Sequence, residues 1–165
     1  MNKRGENMKY VINGIFLTQK ITGVQRYGIE LLKALDNIEY ALDIEVLIPE
    51  YENTNIAFKR LKVIKYGKKS KKIWQQYDYM KYLIKNNAIG ICLSCPAPLF
   101  YNRKCIVVIH DMATCAHPEF YSKKYLLRNK IFMLNGVVKA KKILTVSEFS
   151  KLEIEKYLGI DKNKI

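Results

Sequence analysis

Short β-branched runs alternate along this chain with stretches of helical periodicity, and that alternation limits the fold more than anything else. Ile44-Glu-Val-Leu-Ile48, Ile106-Val-Val-Ile109 and Ile143-Leu-Thr-Val146 are near-continuous apolar runs, the pattern of strands covered on both faces. The spacing predicts strands near 10–13, 44–48, 61–65, 89–93, 105–109 and 142–146. Helices are expected near 23–36, 71–86, 120–139 and 148–158. Strands that alternate with helices call for βαβ units, hence a doubly wound, mainly parallel, Rossmann-like α/β sheet with helices on both faces. The 165 residues suffice for one domain with a real core.

The first unit, Met8 to Asp36, is the most detailed. Its helix shows an apolar face at Val24, Tyr27, Gly28, Leu31, Leu32 and Leu35. Arg26 and Glu30 stand one turn apart and are expected to pair. Thr22 is placed to cap the first turn, and Gly23 leaves its backbone open to close approach. A strand end that feeds a glycine-bearing helix start is where such proteins bind anions or polar ligands, and equally a well-capped structural unit.

Two further strand ends carry polar residues. His110-Asp111 follows the strand at 105–109, and Ser147-Glu148 follows Thr145-Val146. A histidine leaving a strand beside an aspartate can be held in one tautomer by that carboxylate and serve a substrate oxygen, or it can simply cap the next loop. Ser147 reads as the cap of the helix from Glu148, and Ser150-x-x-Glu153 as a competing capping box. Ser-His-Asp order, a P-loop, GxGxxG and a His/Cys metal cluster are all lacking, and no second carboxylate pairs with Asp111 as in a glycosidase. Cys92-x-x-Cys95 has metal-ligand spacing, yet Cys92 lies in an apolar run and no second pair follows; buried thiols, and no metal, are expected.

The formal charge is +14, from 29 Lys and Arg against 15 Asp and Glu. Such an excess favours polyanionic company: nucleic acid, an anionic membrane face or phosphorylated substrates. Ten of the basic residues fall between Lys59 and Lys85, where Asp78 is the one acid. Lys68, Lys69, Lys71 and Lys72 form the densest patch, and Tyr66, Trp74, Tyr77, Tyr79 and Tyr82 interleave with the segment. That pattern fits a nucleic-acid surface, an interfacial membrane patch, or a solvated helix face. In the helix expected over 71–86, Ile73, Tyr77, Met80, Leu83 and Ile84 form the expected core stripe. In the helix over 120–139 it is Leu127, Ile131, Leu134 and Val138. No apolar run has the length of a membrane span, and the N-terminal patch lacks the features of a signal peptide, so a cytoplasmic protein with free thiols is expected.

Together, ITGVQRYGIELLKAL at 21–35, VVIHDMATCAHPEFYS at 107–122 and ILTVSEFSKLEIEKYLGIDKNKI at 143–165 resemble the N-terminal half of GT-B glycosyltransferases, most of all the family 4 retaining hexosyltransferases. Trp74-Gln75-Gln76 is similar to a Trp-Glu-Gln stretch of that group. The resemblance covers nearly all of residues 1–165 and implies roles by position. Gly23 and Val24 match the loop that approaches the donor diphosphate and sugar. His110, with Asp111 beside it, matches the histidine that contacts the donor sugar. Ser147 and Glu148 match the strand end lining the cleft, while Asn13 is a candidate from its own placement at the end of the first strand. The resemblance implies a nucleotide-sugar donor as co-substrate, no metal or other cofactor, and a glycan or lipid-linked acceptor. It also implies peripheral contact with the inner membrane face. The family's donor-binding motifs do not occur in these residues, so the chain is expected to be the acceptor-side half and to need a donor-binding domain as partner. The competing expectation is a non-catalytic Rossmann-like module that binds an anionic membrane, a partner protein or RNA.

Overall fold

The computed structural model describes residues 9–39, 43–94 and 97–165. Six strands form one sheet: β1 (Tyr10–Asn13), β2 (Ile44–Ile48), β3 (Lys62–Lys65), β4 (Ile89–Cys92), β5 (Cys105–Ile109) and β6 (Lys142–Thr145). Their order is β3-β2-β1-β4-β5-β6, and each neighbouring pair is parallel. The chain winds outward from β1 to β3, then returns to β1's other side and winds outward again to β6. This is the doubly wound, Rossmann-like α/β arrangement that the alternation of runs and stripes predicts.

The central β-branched runs form strands because both faces of the sheet are buried there; at the edge, β6 buries Ile143 but leaves Leu144 46% exposed, so the expected cover on both faces is not met. Side chains alternate along each strand between two apolar layers. Val11, Leu47, Cys92 and Val107 enter one layer with Trp74, Tyr79, Leu83 and Ile154. Their chain neighbours Ile12, Val46, Leu93 and Val108 enter the other, with Phe16, Ile29 and Leu32. A one-residue slip in any central strand would exchange the layers, so the register is tightly fixed.

Helix α1 (Gly23–Asp36) covers the second layer through Ile29 and Leu32. It lies against the turn 14–18 so closely that a Cβ on Gly28 would sit 2.6 Å from the Phe16 ring. Glu30 pairs with Lys33 at 2.8 Å, in place of the expected Arg26. The expected helix over 71–86 is two helices, α2 (Lys71–Gln76) and α3 (Asp78–Lys85), which meet at Tyr77 (φ −116°, ψ −65°). That break splits the expected stripe and leaves Leu83 as its buried member. Ile73, Tyr77 and Ile84 are at least half exposed, while Trp74, Tyr79 and Leu83 fill the core. The indole N–H of Trp74 donates to the Tyr66 carbonyl at 2.6 Å, which satisfies the polar edge of an otherwise apolar anchor.

The expected helix over 120–139 is also interrupted. A short helix α4 (Ala113–Ala116) and a single turn at Pro118–Phe120 precede α5 (Lys123–Phe132). Ser122 caps α5 by accepting the Tyr125 N–H. From Met133 to Val137 the chain continues as one wide π turn, closed by the Val138 N–H on the Met133 carbonyl. Leu127, Ile131 and Leu134, expected in the core, are 46–64% exposed. Helix α6 (Glu148–Leu158) ends in left-handed Gly159 (φ 60°), a conformation that glycine adopts without strain.

Candidate functional site

Among open parallel sheets, side chains just past a strand's carboxyl end face whatever binds there. β5 runs between β4 and β6, so His110 emerges beside the ends of both. Its Nε2 lies 2.9 Å from the Leu93 carbonyl at the end of β4. A carbonyl only accepts, so Nε2–H is the donor, and of the two neutral tautomers this contact selects the one with its lone pair on Nδ1. No described residue bonds Nδ1. The ring is held from α1 as well, where Tyr27 meets it edge-on at 5.0 Å between centroids and an interplanar angle of 87°. Behind it, buried Ser150 of α6 donates its hydroxyl to the His110 carbonyl at 3.1 Å, and Thr145 donates to the Ile109 carbonyl at 2.8 Å. Leu93 and Tyr27 therefore fix the imidazole, and Ser150 and Thr145 fix the backbone that carries it.

The expected His110–Asp111 partnership is not formed. Asp111 is exposed, and its Oδ1 accepts the Ala113 N–H at 2.9 Å. Its carboxylate shapes the entry to α4, and the Leu93 carbonyl sets the tautomer instead. A carboxylate one residue along an extended chain points away from its neighbour, whereas a parallel strand brings a carbonyl alongside.

His110 opens on a cleft of about 250 Å³, whose polar lining includes Ser94, Asp111, Thr114 and Asn129 beside Val24 and Tyr125. Asn129 donates to the Thr114 hydroxyl at 2.7 Å, tying α5 to α4 across one wall. Val24 belongs to the first turn of α1, whose N–H groups have no intrahelical partners. Gly23 is exposed, and a Cβ there would meet nothing within 4 Å. The Gln25 amide oxygen accepts the Thr22 N–H at 3.2 Å and its hydroxyl, which fixes the path into the helix. The cleft thus offers one acceptor nitrogen, the first N–H groups of a helix start otherwise closed by the Thr22–Gln25 capping box, and small polar groups, an arrangement suited to a hydroxyl-bearing or anionic ligand.

The structure brings His110, Asp111 and Val24 together at this cleft, with Gly23 at its edge. It does not bring Asn13 there. Asn13 is fully buried, and its Oδ1 accepts the Ile15 N–H at 3.2 Å to start the turn 14–18. Ser147 caps α6 by accepting the Ser150 N–H at 3.1 Å, as its placement predicts. Ser147 and Glu148 are exposed and lie outside the cleft lining. Ser150 does not form the expected capping box, since it reaches back to His110. Sequence reasoning missed Tyr27, Ser150 and Asn129. Tyr27 falls on the apolar face of its helix in the sequence, Ser150 reads there only as a helix cap, and Asn129 carries no local signal.

The basic segment also departs from expectation. Trp74 and Tyr79 have no exposed surface and cannot meet a membrane or a base. Lys71 pairs with Glu52 at 2.7 Å, and Lys68 approaches Glu50 at 3.7 Å. Lys69 lies over the exposed Tyr77 ring at 5.8 Å. The Lys72 side chain is outside the described residues. Cys92 is buried, Cys105 is a buried free thiol and Cys115 is half-buried; Cys95 also lies outside the described residues. Among the described residues no group of His, Cys, Asp or Glu converges as a metal site, and no helix is long and apolar enough to cross a membrane.

Fold and cleft together define a Rossmann-like α/β domain with a ligand-sized opening at the carboxyl end of β5. No protein-family model matches the chain, and neither a curated protein nor a solved structure matches it significantly.

Proposed function

We propose that the chain is the acceptor-side domain of a retaining, nucleotide-sugar-dependent hexosyltransferase, completed by a donor-binding domain across the cleft. The single observation that carries the reading is His110, locked by Leu93 and Tyr27 so that Nδ1 is its free nitrogen, in a cleft shared with the first turn of α1. The sequence blocks that resemble family 4 enzymes contribute Val24 and His110 to this one opening. In this reading Nδ1 accepts a sugar hydroxyl and fixes the ring's orientation. The partial positive charge at the start of α1 faces the negative donor diphosphate. The acceptor oxygen bonds to the anomeric carbon on the face from which the phosphate oxygen departs, and that phosphate takes the acceptor's proton. The protein then contributes orientation and charge stabilisation, not a covalent intermediate.

The test fuses the chain to the donor-binding domain of a family 4 hexosyltransferase and measures sugar transfer from radiolabelled nucleotide sugars. His110→Ala is expected to lower turnover on the order of a hundredfold, the effect of one oriented polar group in a closed site. His110→Gln retains an amide that can reach the Leu93 carbonyl but loses the Nδ1 acceptor, and should be nearly as poor. Near-normal turnover by both variants would overturn the assignment, as would efficient transfer by the 165-residue chain alone.

A further inference from the structure

From Phe120 to Ser147 the chain has seven Lys and Arg residues and no Asp or Glu. Much of this stretch is α5 and its flanks. The inner side of α5 carries Tyr125, Asn129 and Phe132 to the cleft. The outer side carries Leu127 (64% exposed) and Ile131 (46% exposed), with Leu134 (50%) one turn on. At about 100° per residue, Lys123 and Lys130 fall on one side of this stripe and Lys124 and Arg128 on the other. Among the described residues none of these four cations is in an ion pair. At the N-terminal end Tyr121 stacks on Tyr125 at 5.5 Å, and Phe120 is 78% exposed.

We infer that the outer face of α5 docks on an anionic lipid bilayer. Both halves of the pattern are needed to name the occupant. The bare apolar stripe calls for a nonpolar medium, and an aqueous polyanion such as RNA would leave Leu127 and Ile131 in water. The flanking cations, unopposed by any acid in the stretch, call for negative charge in one plane beside that medium. Long cationic side chains at the edges of an apolar stripe reach outward to headgroups, and tyrosines settle at the same level. The segment 59–85 also exposes Ile73, Tyr77 and Ile84, but its Trp74 is in the core, Asp78 lies within it, and two of its lysines face Glu50 and Glu52. The inference does not depend on the transferase reading. It does set the geometry of any reaction at the cleft, since Tyr125 belongs both to the cleft wall and to the tyrosine pair at the edge of the docking face.

Co-sedimentation with vesicles tests it, using the full chain, neutral phosphatidylcholine vesicles, and vesicles with about 30% phosphatidylglycerol. Binding should require the anionic lipid. Each flanking cation is expected to contribute about fivefold, so Lys123→Ser/Lys124→Ser/Arg128→Ser should bind on the order of a hundredfold more weakly. Leu127→Ser/Ile131→Ser should also release the protein, with an unchanged circular dichroism spectrum because both side chains are already exposed. Lys68→Ser/Lys69→Ser should bind like the wild type. The inference is overturned by no binding, or by binding that the Lys68 and Lys69 changes abolish and the α5 changes spare. A dimer in light scattering that Leu127→Ser/Ile131→Ser dissolves, without vesicle binding, overturns it in favour of a second copy. Affinity for homopolymer RNA that falls with the cations but ignores Leu127 and Ile131, again without vesicle binding, overturns it in favour of nucleic acid.

Discussion

Two lysine-rich stretches of this protein look alike as strings and behave as opposites in three dimensions. Residues 59–85 are pinned to the body by acids and an indole. Asp36, at the end of α1, accepts the N–H groups of Lys59, Arg60 and Leu61 at 2.7–2.8 Å. Asp78, 7% exposed, accepts the Lys69 N–H at 3.0 Å. Trp74 fills the core between them. Residues 120–142 have no acid at all, and α5 turns aliphatic side chains to solvent. Counting lysines does not separate a structural segment from a docking surface. The separation comes from where the few acids sit and from the core anchor Trp74, since both stretches leave aliphatic side chains exposed.

Four measurements bear on that contrast. The largest effect is expected for Trp74→Ala, which should cost about 3–5 kcal/mol in urea denaturation as a fully buried aromatic is deleted. A loss under about 1 kcal/mol would mean that the first stretch is not anchored as described. Next comes Asp36, whose three backbone bonds outnumber those of Asp78. Burial raises its pKa, but the N–H groups of Leu61, Lys59 and Arg60 outweigh this and leave it below the ordinary 3.8. A depressed carboxylate contributes stability above the unfolded value and loses it as the pH falls through the lower folded value. Wild type should therefore lose an increment of stability below about pH 3.8 that Asp36→Asn lacks. Parallel pH curves for the two proteins would contradict the three-bond clamp. Asp78→Ala removes one acceptor and strands the Lys69 N–H, for a loss of about 1–3 kcal/mol. An unchanged denaturation midpoint would show that water replaces the carboxylate without loss. The smallest effect, within about 0.5 kcal/mol, is expected for Leu127→Ser. A large destabilisation there would place α5's outer face in the core and erase the difference between the two stretches.

The strands were legible because a buried parallel strand must be apolar on both faces, and six such runs stand out along the chain. Helices α1 and α6 were equally plain, with a periodic stripe in one and a serine cap and glycine stop in the other. Helices α2 and α3 were misread because a break at Tyr77 resets the period, and no proline or glycine marks it. The expected helix over 120–139 was misread for another reason. Apolar residues lie on both sides of α5, so periodicity alone cannot say which side is inward. At the site, His110 could be found from its strand end. Its true partners could not, because the Leu93 carbonyl lies 17 residues away and Ser150 lies 40 residues away. Adjacency in sequence favoured Asp111, and adjacency across parallel strands prevailed.

The π turn at Met133–Val137 gives α5 a mechanical property. Such a turn stores one residue more than an α-helical path of the same length. The Asn102 side chain holds it in place by donating to the Asn135 carbonyl. Deleting that residue closes the wide turn to an α turn of about the same angle and leaves α5 in the same phase against the sheet. Tyr125 and Asn129 on one side, and Leu127 and Ile131 on the other, belong to the same ten-residue helix. The outer side of this helix and the wall that faces His110 are therefore two faces of one rigid element.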